Sequence, residues 1–250
     1  MGAPVVRDEG AIRWITLDRP ETLNAFVPDD LAVIADAVRE PPQAIGAIVI
    51  TGSDDRAFCS GMHKSAFVGA SPAEARVTIS GVADCLAAVR TSPVATIAMV
   101  RGYCLGAGFE MALACDFRVA ARGATFGLPE VRLGIPSVAD AALLRDHVGL
   151  SKAKEVILTG ELYPAADLEV FGLFNRFAAG DELHEETLRL AEKVTSLTRE
   201  VVAAQKGLFE TWMNTGLEQS VATSVDVFAE LFESSATLDA LNRYNEGDRT

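Results

Sequence analysis

The sequence contains few of the residues that usually bind metal ions, and these do not cluster. Three histidines and four cysteines occur among its 250 residues. Cys59, Cys85, Cys104 and Cys115 show no CxxC spacing and have no histidine cluster nearby, whereas structural metal sites need close ligand pairs. We therefore expect four small buried thiols and no metal site.

Basic residues are also scarce. The chain has 22 Lys and Arg against 35 Asp and Glu, which gives a formal net charge of −13. Nucleic acids and anionic membrane surfaces are bound through an excess of positive charge, so neither is an expected partner. A local basic pocket for a phosphorylated ligand remains compatible with this composition.

A secretory signal is missing from the start of the chain, because residues 1–10 contain no apolar central region. We therefore expect a cytoplasmic protein. The one long apolar stretch, residues 94–121, includes Arg101, Glu110 and Asp116 together with several glycines. This mixture indicates a buried strand, a turn and a helix rather than a membrane span.

The apolar periodicity predicts an α/β region followed by an all-helical region. Strands are predicted at 12–17, 47–51, 94–100 and 117–120, and helices at 28–39 and 72–90. Strands that alternate with helices indicate a largely parallel sheet covered by helices. Further helices are predicted at 181–198, 200–213, 216–233 and 237–245. We place the α/β core at 1–190 and the helical region at 191–250.

Two glutamates stand out because each lies in an apolar frame that contains glycine. Glu110 ends the stretch Gly-Tyr-Cys-Leu-Gly-Ala-Gly-Phe-Glu, and Glu130 lies between Thr-Phe-Gly-Leu-Pro and Val-Arg-Leu-Gly-Ile-Pro. A buried carboxylate is costly unless it is paired or functional. Two carboxylates held in this way could act as general acid and general base. The alternatives are a helix N-terminal carboxylate for Glu110 and a surface turn residue for Glu130.

The motifs around these glutamates resemble those of a known family. Residues 102–116 and 126–136 resemble the core signature of the crotonase superfamily, the enoyl-CoA hydratases and isomerases. The segments 17–26, 47–52, 57–62 and 158–165 fit the same family in the same order. The resemblance covers nearly the whole chain. It implies a crotonase-like spiral of β-β-α units, with C-terminal helices that cover the active site or build a trimer.

The resemblance also implies roles for particular residues. The backbone amides of Met62 and Ala107 would form an oxyanion hole, Glu110 would act mainly as base and water anchor, and Glu130 would act mainly as the acid. The coenzyme A (CoA) part of the substrate would be bound by these residues: Leu23, Ala25, Cys59, Ser60, Gly61, His63 and Gly106. Arg19 and Lys64 are candidates for a CoA phosphate. No separate cofactor is expected. The plainer alternative for residues 59–63 is a surface turn.

The leading hypothesis is a hydratase that adds water across the 2,3 double bond of a 2-enoyl-CoA thioester in fatty acid metabolism. An enoyl-CoA isomerase, or an acyl-CoA lyase or hydrolase of the same fold, is the alternative. A non-catalytic acyl-CoA-binding protein is the alternative from a different class. The apolar face of the last helices indicates a homotrimer or a dimer of trimers, a hexamer.

Two segments depart from the pattern of the resembled family. Met62 and His63 replace a small residue and a frequent aspartate, and residues 135–140 read Ile-Pro-Ser-Val-Ala-Asp where the family has Ile-Pro-Gly-x-Gly-Gly. The bulkier side chains predict a restricted or unusual acyl group. We expect Asp140 to be a cap or an exposed residue of the following helix rather than a catalytic group.

Overall fold

The structure is a computed structural model that describes residues 2–245. Ten strands and nine α helices occur within this range. The strands are β1 Val5–Glu9, β2 Ile12–Leu17, β3 Ala47–Gly52, β4 Ala57–Cys59, β5 Ala95–Val100, β6 Tyr103–Leu105, β7 Phe117–Ala121, β8 Thr125–Gly127, β9 Leu162–Pro164 and β10 Arg176–Ala178. The helices are α1 Pro28–Arg39, α2 Pro72–Arg90, α3 Ala107–Ala114, α4 Leu144–Thr159, α5 Ala165–Glu169, α6 Leu183–Thr195, α7 Arg199–Asn214, α8 Leu217–Glu230 and α9 Ser235–Asn245.

The chain repeats a β-β-α unit, and from the second unit on the two strands of a unit belong to different sheets, whereas β1 and β2 are both in the larger sheet. The order is β1-β2-α1, β3-β4-α2, β5-β6-α3 and β7-β8-α4. The larger sheet has the strand order β1-β2-β3-β5-β7-β10, and the smaller has β4-β6-β8-β9. In the larger sheet β1 pairs antiparallel with β2, and the first strands of the later units, β3, β5 and β7, are parallel neighbours. The second strands of these later units, β4, β6 and β8, are parallel neighbours in the smaller sheet. The predicted α/β architecture with a largely parallel sheet is confirmed.

Alternation along the strands of the larger sheet creates two apolar layers. Ile48 and Ile50 of β3 face α1, α2 and α3, within a core that also contains residues of the smaller sheet. Val49 of the same strand faces the opposite side with Ile97 and Leu190, where α6 covers the sheet. Because successive side chains of a strand point to opposite faces, a strand that is apolar throughout must be covered on both.

Helix α2 begins with a local signal in the sequence. Ser71 and Glu74 form a capping box: the Ser71 amide donates to Glu74 Oε2 at 2.8 Å, and Pro72 occupies the first helical position. Valine and leucine side chains at helical spacing then bury one face of α2 against α1. This places the middle of α2 beside the pocket described below.

The helical region after residue 181 is attached to the core mainly through α6 and α7. The predicted helices there are present, with bounds shifted by a few residues. Residue 190, the predicted end of the core region, lies inside α6, and the two-part division remains a prediction. In α7, the buried Lys206 donates to Asp116 Oδ2 at 2.5 Å and to the Val94 carbonyl at 3.2 Å. Within residues 2–245 no helix combines the length and apolar character needed to cross a membrane.

Candidate active site

The N-terminus of α3 presents a free backbone donor because the chain turns sharply before it. Gly106 has φ 53° and ψ −131°, a conformation that is essentially restricted to glycine. Its amide donates to the Gly127 carbonyl at 3.0 Å, which fixes the turn to β8. Ala107 then begins the helix, and the first amides of a helix have no acceptor within it. The Ala107 amide is therefore available to a ligand.

A second turn meets this one from the smaller sheet. Gly61 has φ +99°, and its carbonyl accepts from the Phe26 amide at 2.9 Å. The His63 amide donates to the Phe26 carbonyl at 2.8 Å. Hydrogen bonds to Phe26 therefore hold the residues on both sides of Met62. A Cβ added to Gly61 would lie 3.4 Å from the Ala107 nitrogen. The two turns that the resemblance associates with an oxyanion hole are thus in contact.

Both turns and both glutamates line one cavity of about 150 Å³. Its polar part is formed by Ser60, Gly61, Met62, Lys64, Gly106, Ala107, Glu110 and Glu130. Its apolar part is formed by Phe67, Ile79, Val82, Pro129, Leu133, Ile135, Pro136 and Val138. An apolar cavity with a few convergent polar groups is typical of a small-molecule site.

A larger groove of about 630 Å³ lies elsewhere, between α7 and α8. Its lining residues are Trp212, Thr215, Leu217, Ser220, Val221, Ser224, Val225 and Phe228. None of these side chains carries a charge or titrates near neutral pH, so the groove has no group for acid or base chemistry. The smaller cavity is therefore the candidate active site.

Glu110 is buried in the middle of α3, with only 3% of its surface exposed. Burial raises the pKa of Glu110, the negative charges of Glu130 and Asp140 add to the rise, and a hydrogen bond from the Val138 backbone opposes it; together they bring the pKa to about 8. Within the described residues, no cation forms an ion pair with it. A pKa near 8 suits a group that exchanges protons at neutral pH.

Glu130 is held differently, at the edge of the cavity. It lies on the 3-10 helix Pro129–Leu133, none of whose residues is buried. The Ser137 hydroxyl donates to its Oε2 at 2.8 Å. A Cβ added to Gly106 would lie 2.5 Å from Glu130 Oε1, so that oxygen abuts the turn before α3. The structure therefore brings both predicted carboxylates to the predicted backbone donors.

The residues predicted to bind CoA fall into two groups. Ser60, Gly61 and Gly106 line the cavity. Leu23, Ala25, Cys59 and His63 lie outside its lining and shape the turn beside it. For example, the Leu23 carbonyl accepts from the Ser60 amide at 3.0 Å, and Cys59 is fully buried at the end of β4.

The two candidate phosphate-binding cations differ in availability. Arg19 Nε donates to Asp30 Oδ2 at 2.9 Å and its Nη2 to Oδ1 at 3.0 Å, a paired arrangement that leaves the guanidinium occupied. Arg19 is therefore a poor candidate. Lys64 is exposed, lines the cavity and has no ion pair among the described residues. It remains the better candidate for a CoA phosphate.

The prediction that Asp140 is exposed is wrong. Asp140 is 9% exposed, lies in the 3-10 helix Ala139–Leu143 and forms an ion pair with Arg90 of α2. Arg90 also approaches Glu210 of α7 at 3.4 Å. Burial raises the pKa of Asp140, and the hydrogen bond from Arg90 opposes the rise. The arginine supplied by another helix makes the burial of this carboxylate possible.

Sequence reasoning missed the roles of Ser137 and Arg90. The contact between Ser137 and Glu130 spans seven positions, and the one between Arg90 and Asp140 spans fifty. The only signal was that residues 135–140 depart from the resembled family. The histidines add no nucleophilic pair: His63 Nδ1 contacts the exposed Ser65 Oγ at 2.7 Å, as a cap of a short 3-10 helix. All four cysteines are buried, as predicted.

Comparison with known proteins identifies the family of the chain. The family described as Enoyl-CoA hydratase/isomerase matches residues 7–249. A probable enoyl-CoA hydratase from Rhizobium meliloti (strain 1021) is 34% identical over 92% of this chain and 88% of its own length. A crotonyl-CoA hydratase from Syntrophomonas wolfei is 29% identical over 97% of this chain and 94% of its own.

Solved structures give the same result for the fold. The crystal structure of an enoyl-CoA hydratase from Mycobacterium smegmatis superimposes with a TM-score of 0.93, at 27% identity over 100% of this chain and 98% of that one. The β-β-α order described above is thus the crotonase fold.

Proposed function

The chain belongs to the enoyl-CoA hydratase/isomerase family of the crotonase superfamily, and from this premise we propose that it adds water reversibly across the 2,3 double bond of a 2-enoyl-CoA thioester. One observation carries the proposal. Glu110, Glu130 and the free amides of Met62 and Ala107 line a single cavity. Carboxylates without the donors, or donors without the carboxylates, would support a different reaction.

The two amides would stabilise the charge that develops during the reaction. The thioester oxygen would lie between the Met62 and Ala107 N-H groups, where negative charge accumulates when water attacks C3. Backbone donors fixed in a cavity with little water are well suited to this role, and loss of one such donor typically raises the barrier by ~3 kcal/mol. Because the donors belong to the backbone, their positions depend on the turns at Gly61 and Gly106.

The two carboxylates would manage one water molecule and one proton. Glu110 takes a proton from water while the water oxygen bonds to C3, and Glu130 gives its proton to C2. The two carboxyl groups together hold one proton before and after the addition. That proton returns from Glu110 to Glu130 through the next water molecule. The raised pKa of Glu110 makes its ionised form a stronger base than an ordinary carboxylate.

Direct assay with crotonyl-CoA tests the proposal. We expect the purified chain to add the mass of one water to the thioester, and Glu130→Gln to lower the rate by ~100-fold or more while binding is largely kept. A shift of the double bond without gain of water would identify an isomerase instead. Binding of the thioester without any conversion would identify a non-catalytic protein and contradict the proposal.

The acyl group is proposed to be restricted in size. Met62 lines the small cavity at a position where the resembled family has a small residue, and Val138 lines it beside Ser137, which replaces a glycine of that family. One extra methylene in a tight pocket typically changes specificity ~10- to 200-fold. We expect such steps of kcat/KM along a chain-length series and a gain on longer substrates in Val138→Gly. A flat profile would refute the restriction.

Assembly into a homotrimer or a dimer of trimers is also proposed. Val225 and Phe228 of α8 are 63% and 64% exposed, and they border the apolar groove beside α7. Apolar patches of this kind usually mark interfaces. Light scattering should give at least three times the monomer mass of 26.5 kDa. A monomer at micromolar concentration would contradict this. The cytoplasmic location remains a prediction.

A further inference from the structure

Ser137 is the only side chain among residues 2–245 that is hydrogen-bonded to either carboxylate of the cavity through its own side-chain atoms. Its hydroxyl donates to Glu130 Oε2 at 2.8 Å. The chain brings the two residues together by turning at Gly134, where the Ile135 amide donates back to the Glu130 carbonyl at 3.3 Å. The contact is therefore built into the fold of this turn.

The other oxygen of Glu130 faces a different neighbour. Oε1 is the atom that a Cβ on Gly106 would meet at 2.5 Å, and Gly106 immediately precedes the Ala107 amide. Oε2 thus points to Ser137, and Oε1 points to the turn that carries the proposed oxyanion donor. The two oxygens of this carboxyl group are distinguished by their surroundings.

Packing does not otherwise fix Glu130. No residue of its 3-10 helix is buried, whereas every residue of α3 around Glu110 is. The last torsion of a glutamate side chain is intrinsically broad, so a half-buried carboxyl group can rotate unless a partner holds it. The Ser137 hydroxyl is the partner that the structure provides.

We propose that Ser137 is a positioning residue that locks the Glu130 carboxyl group and makes Oε1 the oxygen that exchanges the proton with C2 of the substrate. Because Oε2 accepts the serine hydrogen bond, the acid proton resides on Oε1. During hydration the Oε1–H bond breaks and the C2–H bond forms, and the electron pair of the O–H bond stays on Glu130. This inference rests on the proposed function, since it concerns the same site.

Three variants test the role of the hydroxyl. Ser137→Ala removes it, Ser137→Thr keeps it, and Ser80→Ala removes a hydroxyl from the exposed face of α2 as a control. With crotonyl-CoA, we expect Ser137→Ala to lower kcat by ~10- to 100-fold, as for other misplaced catalytic groups, with little change in KM. Ser137→Thr should restore most of the rate, and Ser80→Ala should match the wild type.

Solvent isotope effects separate positioning from a general loss of structure. If proton delivery from Oε1 becomes slower in Ser137→Ala, the ratio of kcat in H₂O to kcat in D₂O should increase, and Ser137→Thr should return it to the wild-type value. Equal rates in Ser137→Ala and wild type would overturn the inference. So would equal losses in the alanine and threonine variants, or an isotope effect that does not change.

The outcome also distinguishes this inference from the proposed function. An active wild type with an equally active Ser137→Ala variant overturns only the role of Ser137. A wild type that hydrates no 2-enoyl-CoA overturns the proposed function, and the role of Ser137 with it.

Discussion

The cavity has two walls of different construction. We call α3 with Gly106 the buried wall and residues 129–143 the surface wall. Every residue of α3 is buried, while the surface wall consists of two short 3-10 helices in which only Asp140 and Ala141 are buried. Packing in the core therefore fixes Glu110, together with one hydrogen bond from the Val138 backbone. Glu130 depends on individual polar contacts.

This difference predicts which substitutions affect the stability of the protein and which affect the reaction. Changes in the buried wall should mainly affect folding, because its side chains and backbone fit a dense core. Changes in the surface wall should alter the reaction while the rest of the protein stays folded. The exception is Asp140, whose ion pair with Arg90 ties the surface wall to α2 and, through Glu210, to α7.

The largest effect is expected from breaking the ion pair between Arg90 and Asp140. Arg90→Met leaves Asp140 buried without its counter-ion, and removing one partner of a buried pair typically costs ~3 kcal/mol or more of unfolding free energy. Arg76→Met, on the exposed face of the same helix, is the matched control and should change little. Urea unfolding measures both. Similar losses of unfolding free energy in the two variants would mean that the ion pair with Arg90 does not stabilise the surface wall.

A slightly smaller loss is expected from a methyl group placed in the buried wall. A Cβ on Gly108 would lie 2.5 Å from the Cys59 carbonyl oxygen, so Gly108→Ala must displace backbone. Overpacking of this kind costs ~1 to 3 kcal/mol. Gly123→Ala is the control, because its Cβ would meet nothing within 4 Å. If thermal unfolding shows no difference between the two, α3 does not pack against β4 as closely as described.

The ionisation of Glu110 provides a third test of the buried wall. The folded-state pKa is raised from 4.5 to about 8, so the stabilising contribution is fully present below pH 4.5 and is lost as the pH rises through about 8. Glu110→Gln cannot ionise. We expect it to be more stable than wild type at pH 9, because the wild type must hold a buried negative charge there that glutamine does not carry.

The matched comparison for this test is the same pair of proteins at pH 5, where the advantage of Glu110→Gln should vanish. Glu161→Gln, an exposed substitution, controls for loss of one negative charge. A constant difference between Glu110→Gln and wild type from pH 5 to pH 9 would show that the burial of Glu110 does not perturb its ionisation.

The smallest effect is expected from relief of backbone strain in the surface wall. Ala139 has φ +46°, which costs an ordinary residue ~1 to 2 kcal/mol, whereas glycine adopts it freely but loses more entropy on folding. Ala139→Gly should therefore raise the unfolding free energy by ~0.5 kcal/mol. A clear loss of stability would mean that the methyl group contributes packing that outweighs the strain.

The buried wall could be predicted from the sequence because its signals are local. The glycines at 106 and 108, the apolar run behind them and Glu110 occupy consecutive positions, and together they indicate a tight turn and a buried helix. The β-β-α order of the fold also followed from the resemblance. The division of the short strands between two sheets could not be read from periodicity, since a strand of three residues shows no period.

The surface wall could not be predicted in the same way. The exposed position expected for Asp140 was wrong because its partner, Arg90, lies fifty positions earlier on another helix. The pattern of residues 135–140 contains no indication that one side chain points to Arg90 and another to Glu130. Contacts between distant segments depend on tertiary packing, which a single sequence does not display.

A double-mutant cycle on the two glutamates tests the central claim most directly, that both walls act on one water molecule. Glu110→Gln and Glu130→Gln should each lower kcat with crotonyl-CoA by ~100-fold, and the double variant should lose far less than the product of the two. Such non-additivity is the result that the account predicts. Losses that multiply would show that the two carboxylates act independently and would contradict it.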